Sequence, residues 1–472
     1  MKLVPQVIPL LLALLSNVYA SWQYLSRPDL STPILNITHT PNDSSSLAPG
    51  YLFIAPFSGS SDHDESALPH QPGPYIYDMG TGEVVWTDFA QYTAGWTVNL
   101  QKTIYKGADA LFAFEGKHNA AHGHGHGHLT VLDSSYKLLT TVRAGHHRLM
   151  DKHEGQLIHD GHSALIQIYH PVPIDGLSRL AAREGKGDDG KQDLLSRNWV
   201  VDAQFQEVDV NSGNVIFEWH SLDHVPVHHS NISLFDGQAG DGTSSHQAWD
   251  YFHINSVDKN NEGDYLLSAR DVNSIYKISG KTGKIIWALG GRNQYNNDFK
   301  ALDDHVAFSY QHHARFQGYD EKGRQLISLY DNSAHGTETD QGSTFRDVKT
   351  SCGKMLALDT SQGIRGEWTV ETIQAYYPPF HLLSKSQGST HVFSGGNVLV
   401  NWGSEGAVTE YNSLGNVLWH AFLESGKHTG KSRVQNYRAF KFEWTGRPKE
   451  EAAVAGLAYI EGSNMNNEEE EE

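Results

Sequence analysis

Short apolar strands bounded by glycine turns recur along the chain from about residue 50 onward, and few windows carry the 3.6-residue period of an amphipathic helix. Four segments share one pattern: Gly80-Thr81-Gly82-Glu83-Val84-Val85-Trp86, Ser212-Gly213-Asn214-Val215-Ile216-Phe217-Glu218-Trp219, Lys281-Thr282-Gly283-Lys284-Ile285-Ile286-Trp287 and Leu414-Gly415-Asn416-Val417-Leu418-Trp419. In each, glycine supplies the positive φ of a tight turn, and β-branched and aromatic residues then form a strand ending in tryptophan. The turn glycines fall at 82, 213, 283 and 415, separated by 131, 70 and 132 residues, close to two, one and two units of about 66. Weaker markers fill the gaps: Leu132 to Tyr136, and Leu358 to Gly363 leading to Trp368. A second repeated strand precedes most of them, beginning at Gly161, Gly263, Gly323 and Gly396. Six hairpins at a fixed period predict an all-β chain folded as a six-bladed β-propeller. A pair of β-sandwiches would explain the strands but not their spacing.

The ends and one internal stretch depart from this pattern. Lys2, the apolar run Ile8 to Leu15 and the A-x-A-like site Val18-Tyr19-Ala20 read as a secretory signal peptide, with an uncleaved anchor as the alternative. The expected organisation is a signal peptide (1–20), an N-terminal segment (21–50), the propeller (51–445) and a C-terminal segment with an acidic disordered tail (446–472). Residues 171–200 break the β pattern, with a short helix expected at Leu177 to Arg183 and a surface excursion at Glu184 to Gly190. Gly237 to Gly242 reads as a loop of the kind that rims a site.

Composition narrows the function classes. A net charge of −19 argues against nucleic acid, which needs a basic surface. After the signal no stretch is long and apolar enough to span a bilayer. Sequons at Asn36, Asn42 and Asn231 fit secretion and could carry N-glycans. Cys352 is the only cysteine, so no internal disulfide forms and stability must come from a large core. The compositional anomaly is 28 histidines.

Two segments concentrate candidate chemistry. In Trp249-Asp250-Tyr251-Phe252-His253-Ile254-Asn255, strand alternation would put His253 and Asn255 on one side. Arg270 ends the next strand, and a hairpin would return it to the level of His253. A buried arginine needs an anion or a carboxylate, so it holds a ligand or pairs with Asp250 or Asp271. One unit later comes Gln311-His312-His313-Ala314-Arg315-Phe316, where only one of the two histidines can enter a given pocket. About one unit earlier lies Asp151-Lys152-His153-Glu154. A lone histidine is commonly a satisfied core residue, but histidines from successive units of a propeller converge on its axis. Imidazole serves as nucleophile or proton carrier, and guanidinium and amide groups hold oxyanions; together they suggest transfer of an anionic group.

WDYFHINSVD at 249–258, IYKISGKTGKIIWALGG at 275–291, QHHARF at 311–316 and NVLVNWGSEGAVTEY at 397–411 resemble the arylsulfotransferase (ASST) family, in its fungal-type secreted branch, over roughly residues 50–445. The resemblance implies a six-bladed propeller that moves sulfate from a phenolic sulfate ester to another phenol without the nucleotide donor PAPS, through a sulfated histidine. It matches His312 to that nucleophile, His253, Asn255 and Arg270 to the sulfate-holding set, and His153 to a further catalytic histidine. A neutral imidazole attacks sulfur and gives a labile N–S bond, which permits ping-pong transfer. His153 or His253 would protonate the departing phenolate, while Arg270 and Asn255 would stabilise charge on the sulfuryl oxygens. Trp249, Tyr251, Phe308 and Tyr310 are candidates to hold aryl groups at the rim. The expected partners are small aromatic phenols and sulfate esters, with no cofactor and no metal. The chain departs from the fungal pattern at His313, where many relatives carry an acidic residue.

Histidines at 118, 122, 124, 126 and 128 invite a metal reading, but no carboxylate or cysteine stands beside them at ligand spacing, which favours a Gly-rich strand or turn next to the channel. No phosphate-binding Gly-rich loop or G-x-S-x-G elbow is present. Two rival readings use the same scaffold: a natural-product tailoring or cyclising enzyme, and a non-catalytic ligand-binding propeller.

Overall fold

The repeated hairpin markers become the outer turns of six antiparallel sheets. The computed structural model describes residues 30, 32–58, 71–88, 96–119, 122–177, 197–235, 239–292, 295–336, 343–344, 350–423 and 434–447. The signal segment, most of the 177–190 helix and excursion, and the acidic tail lie outside the described residues. Gly82, Gly213, Gly283, Gly363 and Gly415 have φ of 70–81°, and Tyr136 takes the same left-handed conformation (64°) in the remaining turn. The molecule is an all-β, six-bladed propeller.

Blades are numbered in chain order. Blade 2 comprises Trp96–Tyr105, Ala108–Asn119, His124–Asp133 and Leu138–Val142, from the axis outward. Blade 3 comprises Gly155–Ile158, Ser163–Pro173, Trp199–Asp209 and Val215–His220; its second strand thus runs further into the irregular 171–200 stretch than the sequence pattern suggests. Blade 4 comprises Ile254–Lys259, Tyr265–Ala269, Ser274–Ile278 and Ile285–Gly290. Blade 5 comprises His312–Tyr319, Gln325–Asp331, Cys352–Asp359 and Trp368–Tyr376, with Phe299–Ala301 added in parallel at its outer edge.

Both ends of the chain close the ring. Blade 1 takes its innermost strand, Phe440–Phe442, from the C-terminal region, paired with Tyr51–Ile54; Tyr75–Tyr77 and Val84–Thr87 follow outward. Blade 6 (Ser389–Val392, Val398–Asn401, Ala407–Tyr411, Val417–Phe422) gains Asn36–His39 at its outer edge. The propeller therefore uses residues ahead of position 51. These two additions cover strand edges that would otherwise be left unpaired at the seam.

Each blade is buried on both faces, and the period of two divides its side chains between two neighbours. In blade 4, Tyr265, Leu267 and Tyr276 pack with Phe205 and Trp219 of blade 3. Leu266, Ile275 and Leu289 pack instead with Ile327, Leu329 and Leu356 of blade 5. Six such apolar clusters fill the six interfaces among the described residues. The marker tryptophans also stitch blades together: Trp219 Nε1 donates to Gly283 O (3.1 Å) and Trp419 Nε1 to Met79 O (2.9 Å), each in the outer hairpin of the next blade. Among the described residues no helix is long and apolar enough to cross a membrane.

Candidate active site

The inner strands bring distant segments to one end of the axis. His253, Tyr310 and Gln387 precede the inner strands of blades 4, 5 and 6 with φ of 54°, 52° and 66°, a region that non-glycine residues enter at a cost of about 1–3 kcal/mol each. A cavity of about 50 Å³ opens there, lined by His153, His253, Arg270 and His312 together with Lys152, Gln387 and Tyr437. A single water needs only about 10–15 Å³, so the space suits a small group. Four of the five expected site residues thus meet.

The fifth, Asn255, is fully buried but does not line this cavity. His253 lies before the strand, which starts at Ile254 and carries a bulge between Ile254 and Ser256, so simple alternation does not relate the two side chains. Asn255 Nδ2 donates instead to Gln311 O (2.6 Å), bracing the backbone beside His312.

Each cavity histidine is oriented by a partner at Nδ1. For His312 the acceptors are Asn332 Oδ1 (2.7 Å) and Tyr310 O (3.1 Å). Asn332 cannot present its nitrogen instead, because Nδ2 donates to Ser384 O (3.1 Å) and Gln387 O (2.9 Å). The proton therefore sits on Nδ1, and the Nε2 lone pair faces the cavity, where it accepts a long hydrogen bond from the Gln387 N–H (3.3 Å). Burial, helped by the Arg270 charge, holds the His312 imidazole well below its ordinary 6.5 and hence neutral.

His153 Nδ1 meets Asp151 Oδ1 at 2.5 Å, and His253 Nδ1 meets Asp250 Oδ2 at 2.7 Å. Burial lowers His153 to about 3 although Asp151 opposes it. Burial alone would raise both carboxyls, but His153 outweighs it at Asp151, and His253 with His124 outweighs it at Asp250, so both stay below the usual carboxylate range.

Arg270 forms the expected carboxylate pair, with Asp271 (2.6 Å), yet both residues remain in the cavity wall. Its Nη2 also donates to Gly336 O (3.1 Å), and the guanidinium lies 5.2 Å from the centre of the Tyr310 ring. Burial pushes the Asp271 carboxyl up, against the pull of Arg270. Lys152, 1% exposed, supplies a second cation, held over Trp96 (4.5 Å) and Tyr437 (5.6 Å).

Beneath the cavity, Glu154 pairs with Arg315 (2.7 Å) and Arg438 (3.0 Å). Arg438 also donates to the carbonyls of His153 (2.8 Å) and Asn255 (2.6 Å). Beyond this group a second cavity of about 340 Å³, with His313 in its wall, takes lining residues from the inner strands of all six blades.

The aromatic rim lies elsewhere than expected. Trp249, Tyr251 and Phe308 are core residues, and Tyr310 is 8% exposed beneath Arg270. An outer vestibule of about 480 Å³ instead adjoins the cavity through the shared His122 and presents Tyr169, Ile168, Leu149 and Pro171. The histidine run forms its wall, on a strand beside the channel mouth. His118 stacks on Trp96 (4.0 Å), and His124 Nε2 reaches Asp250 Oδ2 (2.8 Å). The ligand atoms of His124, Asp250 and His253 lie within 4.8 Å of one another, close enough to consider a metal ion. Their N···O distances of 2.7 and 2.8 Å are those of hydrogen bonds rather than of a shared ion.

The arylsulfotransferase (ASST) family model matches residues 101–424, which spans blades 2 to 6 and every histidine of the cavity. The chain belongs to the arylsulfotransferase family. No curated protein matches it. Similar solved structures include a protein of unknown function from Bacteroides caccae (11% identity, TM-score 0.41, covering 83% of this chain and 98% of that one). Others are a protein from Lactobacillus plantarum (10%, 0.37, 84% and 99%) and apo AztD from Citrobacter koseri (11%, 0.32, 84% and 99%). Within the arylsulfotransferase match, Lys152, Asn332 and Gln387 are site residues that motif reading passed over. Lys152 stood inside the Asp151–Glu154 motif itself, whereas Asn332 and Gln387 carried no signal beyond a polar loop.

Proposed function

We propose that the chain is an aryl sulfotransferase that takes the sulfuryl group of a phenolic sulfate ester onto His312 and passes it to a phenol, without PAPS. The observation that carries the reading is the buried, neutral His312, with its proton fixed on Nδ1 and its Nε2 lone pair at a small cavity whose wall also holds Lys152 and the Arg270–Asp271 pair. In the first half, the Nε2–S bond forms as the ester S–O bond breaks, and the phenolate leaves. His253, beside the ionised Asp250, supplies the proton that the phenolate takes. In the second half, the acceptor phenol loses its proton to the now neutral His253 as its oxygen forms the new S–O bond and the N–S bond breaks, which returns His253 to its starting form. His153, held neutral by burial, stands beside His253 in the cavity wall, with ring centres 4.7 Å apart.

Arg270 and Lys152 balance the sulfuryl charge. The Gln387 N–H, already directed at Nε2, would lie beside the sulfuryl oxygens once Nε2 is occupied. Asn255 acts through the Gln311 backbone in this scheme, as a positioning residue.

The N-terminal signal pattern supports secretion, in keeping with a fungal-type secreted branch of the family; Asn42 and Asn231 are exposed and accessible to glycosylation, while Asn36 is half-buried in a strand. The test is incubation with 4-nitrophenyl sulfate and a phenol. Wild type should release nitrophenol and, without acceptor, gain the mass of one SO₃ group on the peptide carrying His312. Equal nitrophenol release by His312→Ala would remove His312 as nucleophile.

A further inference from the structure

The vestibule outside the cavity is unlike the rest of this acidic chain. Its described lining contains Lys117, Arg148 and seven histidines, but no aspartate or glutamate. The chain as a whole carries a net charge of −19. A wall free of carboxylates, directly outside a sulfate-sized cavity, favours entry of anions.

Arg148 is the distinctive member. It is half-buried, and a guanidinium withdrawn from water ordinarily finds a carboxylate. Among the described residues Arg148 has none: its Nη1 instead meets His170 Nε2 at 2.7 Å, and its Nε is buried without a partner there. With Arg148 donating, His170 must offer its lone pair, and burial followed by the Arg148 charge lowers the His170 imidazole. A cation held by a neutral imidazole keeps its charge available for a ligand. Apolar and aromatic walls stand beside it, including Leu149, Ile168 and Tyr169. His124, in the same lining, is joined through Asp250 to His253 of the inner cavity.

We infer that Arg148 recognises a carboxylate carried by the aromatic substrate, so that the preferred substrates are acidic phenols rather than neutral ones. The aromatic ring then lies along Tyr169 and Ile168, with its phenolic oxygen towards His253 and His312. The choice of substrate class rests on the sulfotransfer reading; the carboxylate site itself does not, and binding is measured without turnover to keep the two apart.

The probes are 4-hydroxyphenylacetate and its uncharged counterpart 4-hydroxyphenethyl alcohol, titrated calorimetrically against wild type, Arg148→Gln and Arg148→Lys, each first checked for an unchanged melting temperature. Wild type should bind the acid about tenfold or more tightly than the alcohol, the scale of one charge-assisted hydrogen bond. Arg148→Gln should bring the two within about twofold, and Arg148→Lys should keep part of the preference because it keeps the charge. In turnover, the ratio of kcat/KM for acid over alcohol should fall by the same factor in Arg148→Gln. A wild type that does not discriminate, or a preference that survives Arg148→Gln, overturns the inference. A protein that discriminates in binding yet transfers no sulfate would retain the site and refute only the proposed reaction.

Discussion

His312 and His313 are adjacent in sequence, both buried and both held well below the ordinary histidine pKa, yet they face opposite cavities with opposite hydrogen-bonding character. His312 Nδ1 donates to Asn332, so its Nε2 is a lone pair. His313 Nδ1 accepts from the Thr390 N–H (3.3 Å), so its neutral ring carries the proton on Nε2, which has no partner among the described residues. One ring is arranged as a nucleophile and the other as a donor. Burial makes both neutral, but only the partner at Nδ1 decides whether Nε2 accepts or donates. Between them the Glu154–Arg315–Arg438 group divides the axis into two sites of different character.

The sharpest way to break this contrast is substitution of the two histidines in turn. His312→Ala should lower transfer from 4-nitrophenyl sulfate by about 10⁴-fold or more, as loss of a nucleophile commonly does. A loss of the same size from His313→Ala would erase the distinction. Next in size is the divider. Glu154→Gln leaves Arg315 and Arg438 without their shared buried carboxylate, and should cost about 3–5 kcal/mol in urea unfolding. An unaltered midpoint would mean that the group is not held together by charge. The tautomer comes third. Asn332→Leu removes the shorter of the two acceptors at Nδ1, leaving only the Tyr310 carbonyl at 3.1 Å, and should lower kcat by about 10–10²-fold with KM little changed, because the tautomer is then less firmly held. An unaffected kcat would show that Asn332 does not set the tautomer.

The smallest effect is in pH dependence. His313 has a folded-state pKa depressed below its ordinary 6.5, so below that pH the unfolded chain binds a proton that the folded chain does not. Its contribution is present above about pH 6.5 and is lost as pH falls, by about 1 kcal/mol per pH unit. His313→Gln should flatten the fall in stability between pH 6.5 and 5 by that amount; an unchanged slope would mean that His313 is not buried as the neutral form.

Much of the architecture was legible because it depends on local rules. A glycine at positive φ followed by Val-Val-Trp or Ile-Ile-Trp specifies a hairpin wherever it occurs, and all six markers became blade turns. The convergence of His153, His253 and His312 was legible too, since residues at the starts of inner strands in a propeller must share the axis, and the hairpin returns Arg270, just past the end of the second strand, to that level. Alternation failed at His253 and Asn255, where a left-handed residue and a bulge reset the direction of the side chains. Nor could the apolar pattern separate rim from core: Trp249, Tyr251 and Phe308 resemble substrate aromatics in sequence, but each blade face needs large side chains to meet its neighbour.

Read alone, the sequence determined the repeat, the number of blades, the family resemblance and the residue types near the axis, because those follow from periodicity and strand chemistry. Only the tertiary structure decided which nitrogen of each histidine carries the proton, how the Arg148 guanidinium is held and how the ring closes. Those properties depend on contacts such as His312 with Asn332, Arg148 with His170, and Phe440–Phe442 with Tyr51–Ile54, made between segments that no local pattern relates.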